Sequence, residues 1–191
     1  YKEIIKHYPN TYHDVIESIM SNIPDDKKYW YQKHMAHHLL GIEDFSWLSD
    51  FKNCFLIRHP NDVISSYVKK NTLLSVDELG YPQQLKIIKF LHKNNLEFYV
   101  IDSDVLLKNP KIKLKDWCSH LKIIFDNGML SWEKGPHIND GIWGKHWYDG
   151  VYQTESFSNN EKSSKKDKFV VYNEIYEEAL FYYKKIYSFI K

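Results

Sequence analysis

Asn53-Cys54-Phe55-Leu56-Ile57-Arg58-His59-Pro60-Asn61-Asp62-Val63-Ile64-Ser65-Ser66-Tyr67 is the stretch on which the fold turns. Its first five residues are a short apolar run, the pattern of a strand covered on both faces, as parallel sheets require. Arg58-His59-Pro60 ends the run, and proline suits the first turn of a helix, where its missing N–H leaves no bond unmade. The spacing then predicts a helix over 62–70, with Val63, Ile64, Tyr67 and Val68 available to pack. An arginine between a strand end and a helix start sets a fixed cation beside free helix N–H groups, and phosphate uses both. Ser66, in the second turn, adds a hydroxyl donor. The competing reading pairs Arg58 with a local carboxylate such as Asp62.

Outward from this stretch, helices and strands alternate. Upstream, 10–22 reads as a helix with Val15, Ile16 and Ile19 on one face and Asn10 or Thr11 as its cap. Residues 29–32 form a short predicted strand before the histidine-rich Lys33-His34-Met35-Ala36-His37-His38. Downstream, 82–93 is helical by the spacing of Leu85, Ile88 and Leu91; 96–101 is an apolar strand ended by Asp102-Ser103-Asp104; and 111–124 is a helix. Residues 131–157 show no period and read as an ordered loop, 161–168 as a charged surface run, and 172–190 as a long closing helix with a tyrosine-rich stripe. Such alternation implies an α/β fold with a parallel sheet. Ligands of these sheets bind beyond the carboxyl ends of the strands, which directs attention to Lys33-His34, Arg58 and Asp102–Asp104.

Composition narrows the classes. The 191 residues are one domain's worth, and 26 basic against 25 acidic side chains give a net charge of +1, so no nucleic-acid partner is expected. Two cysteines build neither a disulfide framework nor a metal site, which fits a reducing, cytoplasmic setting. No apolar run approaches the ~20 residues that span a bilayer. Of seven glycines, four (Gly135, Gly141, Gly144, Gly150) crowd into the late loop. Glycine lets backbone approach a phosphate closely, Lys134 and Lys145 supply charge, and Trp132, Trp143, Trp147 and Tyr148 either stack on a base or form an aromatic mini-core.

In its ordered motifs the chain resembles the sulfotransferase superfamily. There a strand ends in Arg-x-Pro with a serine eight residues after the arginine, which is the spacing of Arg58, Pro60 and Ser66. Tyr99–Leu106 with Asn109-Pro110 is similar to the family's strand, acidic turn and helix start. Trp132-Glu133-Lys134-Gly135-Pro136 through Tyr148 is similar to the loop that closes over its nucleotide, in wording closest to the small-molecule, branched-chain-aminotransferase-like relatives. The resemblance implies a P-loop-type three-layer fold with a central parallel sheet, and a co-substrate, 3′-phosphoadenosine 5′-phosphosulfate (PAPS). It places Arg58, Ser66, Lys134 and Gly135 on the 3′-phosphate.

The same resemblance sets catalysis just after the 29–32 strand, with Lys33 stabilising charge and His34, or else His37, as general base; the acceptor is a small hydroxyl or amine compound. A zinc site from His34, His37 and His38 is the competing reading, and the resemblance requires no metal. Asp102 and Asp104 are expected to cap a turn. One element of the superfamily has no counterpart: no Gly-x-x-Gly-Lys-Ser pattern occurs, and no glycine precedes Gly41. The expectation is a single domain over 1–191, incomplete at its N-terminal side. The rival functions are a non-catalytic nucleotide-binding or interaction subunit on the same scaffold, and a P-loop kinase-like phosphotransferase.

Overall fold

A computed structural model describes residues 6, 8–138, 140, 141, 144, 148–157 and 172–190. The charged run 161–168 and the side chains of Trp143, Lys145 and Trp147 lie outside the described residues. At the centre, β1 (Asn53–Ile57) pairs in parallel with β2 (Phe98–Asp102), from Asn53 opposite Phe98 to Ile57 opposite Asp102. Between them run α2 (Pro60–Tyr67), a 3-10 turn at Val76–Leu79, and α3 (Tyr81–Lys93). An earlier helix, α1 (Tyr12–Ile19), starts at Thr11, whose hydroxyl accepts the Asp14 N–H.

After β2 the chain enters α4 (Ser103–Lys108) and α5 (Pro110–Leu121), then a short α6 (Asp149–Tyr152) and the closing α7 (Asn173–Tyr187). The helix expected over 111–124 ends early because Lys122 adopts a left-handed φ of 58°, which lets Ile123 N–H reach back to the Cys118 carbonyl. The stripe on α7 buries Ala179 and Ile186 against Ile57, Leu85, Ile88 and Val100. A second cluster, Phe45, Leu48, Ile87 and Leu91, fills the other side of α3. No helix among the described residues is long and apolar enough to cross a membrane.

The molecule is therefore mixed α/β, with a small parallel sheet flanked by helices. The sheet has two strands among the described residues, and the third one expected at 29–32 is absent. Tyr29 and Tyr31 are 52% and 76% exposed. Strand preference in aromatic residues reflects a fit to a half-buried pleated surface, and no strand pairs with this segment among the described residues.

Candidate functional site

Because Ile57 and Asp102 are register partners, the residues that follow both strands emerge at one edge of the sheet. Asp102 is buried, and its carboxylate accepts from Asp104 N–H (2.8 Å), Val105 N–H (3.2 Å) and the Tyr183 hydroxyl (2.9 Å). It caps α4, as expected, and also ties α7 to the sheet.

Arg58 emerges at the same edge. Its side chain is 45% exposed, and its Nε lies 3.9 Å from the Asp62 carboxylate one turn away. That is a loose pair, and the guanidinium stays accessible. The Arg58 backbone is held more firmly: its carbonyl accepts the Tyr81 hydroxyl at 2.6 Å. Burial, and next the neighbouring Tyr183, push the Tyr81 hydroxyl far above its ordinary range, so it remains a donor.

The α2 N–H groups differ from expectation. Asn61 N–H donates to His59 Nδ1, and Asp62 and Val63 N–H to the His59 carbonyl. These donors are engaged, which leaves the Arg58 guanidinium and side-chain hydroxyls for an anion. Ser65 donates to the Asn61 carbonyl at 2.7 Å, while Ser66 is exposed.

The late loop docks beside α2. Lys70, one turn beyond Ser66, pairs with Asp149 at 3.8 Å. Asp149 begins α6, and at its end the Tyr152 carbonyl accepts Gly135 N–H at 3.1 Å. Gly135 is thus tied to α6, and α6 meets the chain just beyond α2 at Lys70. Gly135 needs its φ of 101°, which other residues rarely adopt. Lys134 is exposed. Trp132 packs edge-on against Phe157 and donates to Thr154, and Tyr148 lies edge-on to Tyr152. For Trp132 and Tyr148 the aromatic mini-core is the arrangement found.

The histidines lie on another wall. The α1 helix, residues 34–42 and Trp47 enclose a cleft of about 280 Å³, lined by His34 and His38 but not by Lys33 or His37. Gln32 decides which nitrogen of His34 carries the proton. Its amide N–H donates to the Ile19 carbonyl at 2.9 Å, which turns its Oε1 toward His34 Nε2 at 3.0 Å. An amide oxygen only accepts, so Nε2 holds the hydrogen and Nδ1 of the neutral ring is free to take one. Burial first, and then His38, lower the His34 pKa below its ordinary 6.5. Sequence reasoning missed Gln32; the available signal was its place two residues before His34, since alternate residues of an extended chain share a face.

His37 has its pKa lowered by the same two causes and meets His38 edge-on at 4.5 Å. No group of three His, Cys, Asp or Glu side chains among the described residues is arranged to hold a metal ion.

Gly80 and Tyr81 connect the two walls. Tyr81 grips the Arg58 carbonyl, while Gly80, at φ 77°, lies where an added Cβ would sit 3.3 Å from His37 N. Gly80→Ala is expected to cost about 1–3 kcal/mol, the range for a residue forced into a left-handed conformation. A urea melt measures it, and an unchanged midpoint would remove Gly80 from this role.

Residues 4–189 match the family described as the sulfotransferase domain. Branched-chain-amino-acid aminotransferase-like protein 2 of Arabidopsis thaliana is 34% identical over 140 residues, covering 73% of this chain and 25% of that protein. Branched-chain-amino-acid aminotransferase-like protein 1 of the same plant is 34% identical over 136 residues, covering 71% and 24%. The chain thus spans about a quarter of the length of these curated relatives. No solved structure matches it.

Proposed function

The chain belongs to the sulfotransferase domain family, and on that premise we propose that it moves a sulfuryl group from PAPS to a hydroxyl or amine of a small-molecule acceptor. One observation carries the catalytic side of this reading: His34 lies in the wall of a cleft, with Gln32 leaving its Nδ1 unprotonated. The acceptor's proton passes to Nδ1 as the acceptor oxygen or nitrogen forms its bond to sulfur. The bond from sulfur to the phosphate oxygen breaks, and 3′-phosphoadenosine 5′-phosphate departs with the electron pair. Lys33 supplies a cation outside the cleft wall, and His37 is the alternative base.

The donor fits the other edge. Arg58 is accessible and only loosely held by Asp62, so a phosphate can recruit it, and Ser66 and Lys134-Gly135 complete the set. The residues on the 5′-phosphosulfate are not assigned within this chain, whose sequence has no Gly-x-x-Gly-Lys-Ser pattern. Free Cys54 and Cys118 suit a reducing, cytoplasmic setting.

Calorimetry with 3′-phosphoadenosine 5′-phosphate and with adenosine 5′-phosphate, paired with a labelled-sulfate transfer assay, tests the proposal. The 3′-phosphorylated nucleotide is expected to bind at least about tenfold more tightly, since hydrogen bonds to charged groups contribute ~1.5–3 kcal/mol. Equal binding removes the donor assignment. Selective binding without transfer favours the second reading, a nucleotide-binding subunit on the same scaffold.

A further inference from the structure

The cleft beside His34 also says what kind of acceptor it takes. Among its lining residues there is no Asp, Glu, Lys or Arg. Ile16, Ile19, Leu39 and Ile42 supply aliphatic surface, and Tyr12 and Trp47 supply aromatic surface. The polar atoms of those two rings are engaged within the wall itself. Trp47 Nε1 donates to the Tyr12 hydroxyl at 3.0 Å, and that hydroxyl donates to the Asp44 carbonyl at 3.0 Å. Thr11 is engaged in capping α1. The flanking carboxylates are turned to other partners, Glu43 to Lys86 and Asp44 to Ser46 N–H. What remains to meet a polar ligand atom inside is uncharged: the Asn10 amide and the histidine pair, with His34 presenting a bare Nδ1.

We infer that the acceptor is a neutral, largely apolar alcohol or phenol, whose hydroxyl points at His34 and whose hydrocarbon body lies against Trp47 and the α1 face. The inference rests on the proposed sulfuryl transfer for its reaction, but its binding part stands alone. A carboxylate would enter without a cation to meet it, and an alkylamine, charged at neutral pH, would enter without an anion; burying either unpaired is costly. The volume falls just short of the ~300–1,000 Å³ that ligand sites span, which favours a compact molecule.

Three probes of one shape test this: 2-naphthol, 2-naphthoate and 2-(aminomethyl)naphthalene, titrated near neutral pH by calorimetry while the Trp47 indole N–H resonance is followed. The naphthol is expected to bind at least about tenfold more tightly than either charged probe and to move the Trp47 signal. Ile16→Asp is expected to reduce naphthol binding about tenfold or more. Met35→Lys, at an exposed position of the lining, is expected to turn the preference toward the naphthoate. Charged probes that equal or exceed the naphthol, or an unmoved Trp47 resonance, overturn the inference. The two proposals fail separately: a protein that binds naphthol but neither discriminates the 3′-phosphate nor transfers sulfate keeps this cleft and loses the reaction. Sulfate transfer to a charged acceptor with no naphthol binding does the reverse.

Discussion

Sulfuryl transfer by the His34→Ala protein is expected to fall by about 10²–10⁴-fold, the contribution of a positioned general base. On the proposed role the loss belongs in kcat, because the rest of the lining proposed to hold the acceptor stays intact. His37→Ala is expected to change the rate far less, since His37 does not line the cleft. A His34→Ala protein with full activity sinks the assignment. The pH profile adds a sign. His34 works as a base only when neutral, and burial with His38 holds its pKa below 6.5, so the acidic limb of kcat/KM lies below that pH. Gln32→Glu puts a carboxylate on Nε2, favours the charged ring and moves the limb upward. Stability follows the same groups. The folded state disfavours protons on His34 and His37, so the unfolded chain binds more of them, and stability declines as pH falls from 6.5 toward the folded values.

Arg58→Ala is the second large effect. Affinity for 3′-phosphoadenosine 5′-phosphate is expected to drop about 10- to 100-fold, with adenosine 5′-phosphate unaffected, because only the charge-assisted bonds to the 3′-phosphate are lost. Tyr81→Phe is expected to act in the same direction and more weakly, since it releases the Arg58 carbonyl without removing the guanidinium. In an Arg58→Ala background it has nothing left to position, and calorimetry of the double variant reads that directly. Additive losses would place Tyr81 outside the phosphate site.

The legible parts of the chain were those with a strong period or run. Asn53–Ile57, the α3 spacing and the α7 stripe are long or apolar enough that burial alone dictates their form. Residues 29–32 misled because aromatic content resembles a strand while no ladder forms with them among the described residues. Six-residue α4 is too short to show a period, and its announcement is the Asp102 cap. At the site, Arg58 stood out as a cation at a strand end. The fate of the helix N–H groups did not, because histidine is not among the usual capping residues and His59 engages them. Lys33 and His34 read as a pair in sequence, yet only His34 lines the cleft, as neighbours in extended chain face opposite ways.

The bond between Tyr183 and Asp102 spans 81 positions, and it has a consequence for the protein as it is made. At about 5–20 residues per second, Asp102 leaves the ribosome several seconds before its phenolic partner exists. Through that interval the carboxylate has only the α4 amides, and the apolar faces awaiting Ala179 and Ile186 are open. The nascent chain therefore holds a half-built sheet edge until α7 is delivered. A chaperone that acts on this protein has its task there, in the gap between the synthesis of the second strand and the arrival of the helix that locks it.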